Sequence, residues 1–166
     1  MGLPSTAPNG SAPHRADPQA TAELAAKTLW TTDRAAQELG IELLAVGPGT
    51  ATLAMTVREN MVNGHETAHG GFIFALADTA FAYACNSHGH VTVAAQCAIT
   101  FIRPGKRGGR LIAEAREVSR SGRSGIYDVR ISADDEVIAE FRGHSRTIGG
   151  SFIPASGVPG GAGEPI

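Results

Sequence analysis

Apolar and polar positions change rhythm several times along the chain, and each rhythm predicts an element. Residues 20–39, ATAELAAKTLWTTDRAAQEL, are rich in Ala and Leu, contain no Gly or Pro, and are followed by Gly40. That pattern predicts one helix with a glycine stop. From 41 to 58 the period drops to two. Ile41, Leu43 and Ala45 precede a Gly47-Pro48-Gly49 turn; Ala51, Leu53, Met55 and Val57 follow it, set among Thr50, Thr52, Thr56 and Arg58. This predicts a hairpin. Residues 59–69 form a polar loop. Residues 70–87, GGFIFALADTAFAYACNS, are apolar nearly all round and too long for an ordinary strand. They predict a helix buried on most of its faces.

Four strand-like runs complete the chain: 91–103, 110–120, 125–132 and 136–148. The links between them are short and turn-like, which predicts antiparallel pairing of consecutive strands. The resulting order is α–β–β–α–β–β–β–β. A helix with so little polar surface needs a large cover, and an antiparallel sheet curled around it supplies one, an α+β arrangement.

Composition alters the picture at the ends. Half of the 30 Gly and Pro residues fall in residues 1–20 and 149–166. Residues 1–19 therefore read as a flexible arm, 20–148 as one domain with a real core, and 149–166 as a loose tail. The longest apolar run has 14 residues, against roughly 20 for a membrane span, and the start of the chain lacks the apolar stretch of a secretory signal. A soluble, cytoplasmic protein without a membrane partner is expected. The two cysteines, Cys85 and Cys97, form no metal or disulfide framework; no metal is expected, and Cys85 is read as core packing. Ten of the 14 basic residues lie in 101–148. They suit either a solvated strand face or a phosphate-bearing ligand. Aromatics are too few, and the chain too nearly neutral, for nucleic acid to be the partner.

Asp78 carries the chemical interest. It is the one formally charged residue between His69 and His88, and Phe74, Ala75, Phe81 and Ala82 flank it at helical spacing. A carboxylate placed there costs several kcal/mol unless compensated. It is either a general base or nucleophile, or a structural Asp satisfied by a neighbouring polar group. His69-Gly70-Gly71 opens the same helix. Its unpaired N–H groups suit a carbonyl oxygen or oxyanion; alternatively the glycines only allow a tight turn. Eight residues separate Gly70 from Asp78, roughly 12 Å along a helix axis. If both serve one reaction, they come from two subunits, and the active sites lie at the interface of a two-fold dimer.

The segments Asn63-Gly64-His65, His69-Gly70-Gly71 and Leu76-Ala77-Asp78-Thr79-Ala80-Phe81-Ala82, with Phe141-Arg142-Gly143 near the end, resemble the hotdog-fold acyl-CoA thioesterases of the phenylacetate-degradation (PaaI) type. The resemblance spans about residues 25–150. It implies a sheet wrapped around a central helix and hydrolysis of acyl-CoA, with (hydroxy)phenylacetyl-CoA or another aryl-acyl-CoA as substrate. It implies Asp78 as nucleophile or general base, and Gly70, with Gly71, as polariser of the thioester carbonyl. Asn63 would orient substrate or water, and His69 would order the loop. Some relatives carry a water-positioning Ser where this chain has Ala94; Thr92, another hydroxyl, or nothing takes that role. The phosphates of coenzyme A, which is part of the substrate and not a separate cofactor, suit Arg103, Arg107, Arg120 and Arg123 with Gly122 and Ser124, and Lys106 or Arg146 would serve as well. A homo-oligomer is implied, with the dimer as the catalytic unit and a tetramer as the larger assembly. Two other readings compete: a hotdog-fold enoyl-CoA hydratase or dehydratase, and a non-catalytic acyl-CoA-binding protein.

Overall fold

A computed structural model describes residues 17–153. Expectations for residues 1–16 and 154–166 lie outside this range. Helix α1 (Pro18–Trp30) starts with Pro in its first turn and Asp17 as N-cap, the Asp17 carboxylate accepting from Gln19 N at 3.0 Å. The single helix expected over 20–39 is two. α1 stops at Trp30, and α2 (Arg34–Leu39) begins after Thr31-Thr32-Asp33. The cause is local. The hydroxyls of Thr31 and Thr32 donate back to Thr28 O and Leu29 O, and the Asp33 carboxylate caps Ala36 N at 3.1 Å. Gly40, at φ 69°, ends α2 as a left-handed cap.

Strands β1 (Glu42–Gly47) and β2 (Thr50–Thr56) form the expected hairpin. A short 3-10 turn (Glu59–Met61) lies in the polar loop, and α3 (Gly70–Asn86) follows. The remaining strands are β3 (His90–Phe101), β4 (Arg110–Ser121), β5 (Ser124–Ala133) and β6 (Glu136–Ser151). β6 runs three residues past the expected domain end at 148, and Gly149–Ser151 belong to the strand.

The six strands of the described residues form one antiparallel sheet in the order β1-β2-β4-β5-β6-β3. Here the expectation that consecutive strands pair fails once. β3 does not pair with β4; it lies at the far edge against β6. The link from Pro104 to Gly109 crosses to the interior of the sheet, and the site loop holds it there: Ala68 N donates to Gly105 O, and Thr67 bridges Lys106. Link length reports how far a chain can travel, not which strand it meets.

The sheet wraps α3. Ile73, Leu76, Ala77, Ala80, Phe81 and Ala84 meet Leu53, Met55, Leu111, Tyr127, Val129, Ile131 and Phe141, all buried. The Phe81 ring stands edge-on to Tyr127, with centroids 5.6 Å apart. The helix is thus gripped along its length, which fixes the two candidate positions it carries, Gly70 and Asp78.

Candidate active site

The loop before α3 is built on Asn63. Its side-chain oxygen accepts from His65 N at 2.9 Å, Thr67 N at 3.3 Å and Thr67 Oγ1 at 3.2 Å. His69 N donates to Met61 O, and the His69 ring caps the helix by accepting from Gly71 N at 3.0 Å through Nδ1. The two glycines therefore differ. The N–H of Gly71 is committed to His69, whereas the N–H of Gly70 has no acceptor among the described residues. Gly70 is the position at the positive helix end that can meet a ligand oxygen. The expectation that Gly71 also polarises a carbonyl conflicts with its bond to His69.

Asn63 and Gly70 line one cavity of about 440 Å³ together with Ile73, Phe101 and Arg103. Arg103 is steadied by donation from Nη1 to Val137 O at 2.9 Å. No motif in the sequence marks Phe101, yet it lies against Gly70 from the end of β3.

Asp78 sits just over two turns further along α3, outside that cavity and half-buried. Burial raises its pKa, and a hydrogen bond from Cys97 partly offsets the rise. Cys97 Sγ lies 3.6 Å from Asp78 Oδ1. The thiol is itself pushed up to about 11 by burial and by the Asp78 charge, so it is protonated and donates. The hydroxyl of Thr92 is spent elsewhere, on His90 O at 3.0 Å and Thr147 Oγ1 at 3.2 Å. Cys85 is buried, and burial and Asp78 hold its thiol up at about 12; it is an inert core group.

The arginines expected to meet phosphate do not converge within one chain. Arg103 and Arg107 stand near the Gly70 end, Arg107 facing Glu59 and Glu66 at 3.4 and 3.6 Å. Arg120, Gly122, Arg123 and Ser124 surround the β4–β5 turn near the start of β3, where His90 and Thr92 share their crevice. Arg123 Nε donates to Thr147 O at 2.8 Å. Next to this turn is a second cavity of about 430 Å³, lined by Gln96, Ser124, His144 and Arg146 among others.

A helix cradled by six antiparallel strands, with an open amide at its start and a desolvated carboxylate in its middle, is the layout of a hotdog-fold thioesterase. Comparison with known proteins agrees. The family model described as "Thioesterase superfamily" matches residues 65–140. The acyl-coenzyme A thioesterase PaaI of Escherichia coli is 44% identical over 128 residues, 76% of this chain and 91% of that protein. The structure of the E. coli PaaI protein from the phenylacetic acid degradation operon superposes with a TM-score of 0.80 at 42% identity, covering 81% of this chain and 99% of the other. The TT0310 protein of Thermus thermophilus gives a TM-score of 0.68 at 40% identity, covering 70% and 98%. The chain belongs to the thioesterase superfamily, as a hotdog-fold enzyme of the PaaI type.

Proposed function

We propose that this enzyme hydrolyses acyl-CoA thioesters, with phenylacetyl-CoA and its ring-hydroxylated forms as the substrate class, to the free acid and CoA. The observation that carries the proposal is the division of labour along α3. The open N–H of Gly70 and the half-buried carboxylate of Asp78 lie roughly 12 Å apart on one helix, too far to serve one carbonyl. β3 lies at a sheet edge, with Val93 and Phe101 41% and 51% exposed. A second copy pairing with that edge across a two-fold axis runs antiparallel to it. The Phe101 end of one chain, beside Gly70, then approaches the His90 end of the other. The same reversal brings the turn of Arg120, Gly122, Arg123 and Ser124 toward the partner's Arg103 end, which supports a phosphate-binding role for these groups. Two such dimers make the expected tetramer, and the cytoplasm is the expected compartment. No helix among the described residues is long and apolar enough to cross a membrane.

The chemistry follows from these positions. The Gly70 N–H receives the thioester oxygen as it gains charge. As a general base, Asp78 takes a proton from water; the water oxygen bonds the carbonyl carbon, the C–S bond breaks, and the proton passes to the departing CoA thiolate. As a nucleophile, Asp78 bonds the carbon itself, thiolate leaves, and water then hydrolyses the mixed anhydride. A single turnover in water enriched in heavy oxygen tests the nucleophilic route: label in the Asp78 carboxylate shows that an anhydride formed and that water attacked its Asp78 carbon, whereas the general-base route puts label only in the product acid. The primary test is Asp78→Asn, assayed by release of free thiol from a thioester panel. A loss of about 10²–10⁴ in kcat is expected for a positioned acid–base group. Wild-type turnover in the folded variant refutes the proposal.

A further inference from the structure

β3 carries one more residue than its partner stretch on β6. Ala94 pairs with Ser145 and Gln96 with His144, so Ala95 is surplus, a β-bulge. On β6, Phe141, Gly143 and Ser145 are buried, and their alternation partners Arg142 and His144 lie on the other face. Beyond the bulge, Cys97 pairs with Gly143 and Ile99 with Phe141. A regular strand would instead turn Gln96 toward the helix and Cys97 away from it. Gly143 completes the arrangement. A Cβ there would lie 2.8 Å from the Phe81 ring, so its absence lets α3 settle onto the sheet beside Cys97. The outcome is the 3.6 Å approach of Sγ to Asp78 Oδ1. Bulges recur beside active sites because they re-aim a side chain.

We propose that Cys97 is a positioning residue for the hydrolysis, donating its S–H to one oxygen of Asp78 and so fixing the direction in which the other oxygen meets the substrate. This rests on the reading of Asp78 as the reacting carboxylate. A thiol suits this role because it is a weak donor, enough to select one rotamer without quenching the basicity of the carboxylate. The titratable groups coupled to Asp78 are Cys97 on β3 and Cys85 on its own helix, both protonated at neutral pH.

The test compares wild type, Cys97→Ala, Cys97→Ser and Asp78→Asn by kcat and KM across pH. Cys97→Ala is expected to lower kcat by roughly threefold to tenfold, the scale of one weak hydrogen bond to a charged group, with KM little changed. It also moves the acid limb of the rate profile to higher pH, because the ionised form of Asp78 loses its donor. Cys97→Ser restores both, its stronger O–H donor carrying the limb to or below the wild-type position. Independently of activity, the infrared S–H stretch of Cys97, assigned by its loss in Cys97→Ser, shifts over the pH range in which Asp78 titrates and is constant over that range in Asp78→Asn. If Asp78→Asn is inactive while Cys97→Ala keeps its kcat and acid limb, the positioning role is refuted and the role of Asp78 stands. The positioning role is equally refuted if kcat falls with an unmoved acid limb and Ser does not restore it. Wild-type turnover in Asp78→Asn removes the premise and the inference with it.

Discussion

The ring of Phe101 covers Gly70 so closely that a β-carbon at Gly70 would lie 2.9 Å from its Cζ. The absent side chain lets two elements meet closely, the start of α3 and the end of β3. Gly70→Ala keeps the N–H and displaces either the ring or the helix start. A misplacement of this kind is expected to cost about 10–100-fold in kcat/KM. Adding Phe101→Leu to Gly70→Ala relieves the contact and recovers part of the loss, read as a double-mutant cycle on kcat/KM. A strictly additive result contradicts the contact as the cause.

If each site draws Gly70 from one chain and Asp78 from its partner, two impaired variants complement each other. A mixed dimer of Asp78→Asn with Gly70→Ala has one site with both residues intact and one with neither. After unfolding and co-refolding equal amounts, about a quarter of the sites are intact by random pairing. Activity in the mixture above the mean of the two separate variants is the expected result. Sites contained within a single chain give no gain.

Glu117 gathers donors from three elements. His88 Nε2 lies 2.6 Å from its Oε2, Tyr127 Oη donates at 2.8 Å, and Arg120 Nε stands at 3.4 Å. Burial alone would push this carboxyl up, but the bonds from His88 and Tyr127, with the charges of His88 and Arg120, hold it below its ordinary value. A lowered folded pKa gives stability that is present above the unfolded value, about 4.3, and is lost as pH falls through the folded value. Glu117→Gln is therefore expected to melt lower than wild type at neutral pH, by roughly 2–4 °C for about 1 kcal/mol, and the gap narrows on acidification below about pH 4. The slope that persists in the variant includes Asp128, held down by bonding to Arg142 against the smaller opposing effect of burial. Melting curves of both proteins across pH provide the measurement; a gap that is constant with pH counts against the expectation.

Gly143 sets how closely α3 approaches the sheet. Gly143→Ala inserts a methyl group 2.8 Å from the Phe81 ring, and neither the buried helix nor the paired strand has room to yield. Overpacking of this kind costs about 1–3 kcal/mol, to be read from the midpoint of denaturant unfolding. An unchanged midpoint shows that Phe81 can repack.

Much of this architecture is legible because hydrophobic rhythm is a local property. The run from Gly70 to Asn86 announces a buried helix, and alternation in 125–132 and 136–148 announces two strands. The isolation of Asp78 among apolar neighbours, and its distance from Gly70, require only helical geometry. What escapes depends on contacts between distant segments or on single-residue irregularities. The break at Thr31-Thr32-Asp33 is made by side chains competing for backbone groups. The placement of β3 beside β6 rests on pairing between segments distant in the chain. Cys97 escapes because alternation counted through Ala94-Ala95 arrives on the wrong face. The bond between Gly71 and His69 is a matter of helix capping that a Gly-Gly pair does not reveal.

The surplus residue in β3 acts like a shift of reading frame in three dimensions. Consecutive residues facing the helix are two apart along most of the strand, but Ala94 and Cys97 are three apart. Any assignment made by counting forward from the helix motif is in phase up to Ala94 and out of phase beyond it. Deleting Ala95 would leave Cys97 facing Asp78, whereas straightening the strand with Ala95 retained would substitute Gln96. The identity of the group beside the carboxylate is thus set by the length of the strand as much as by its letters.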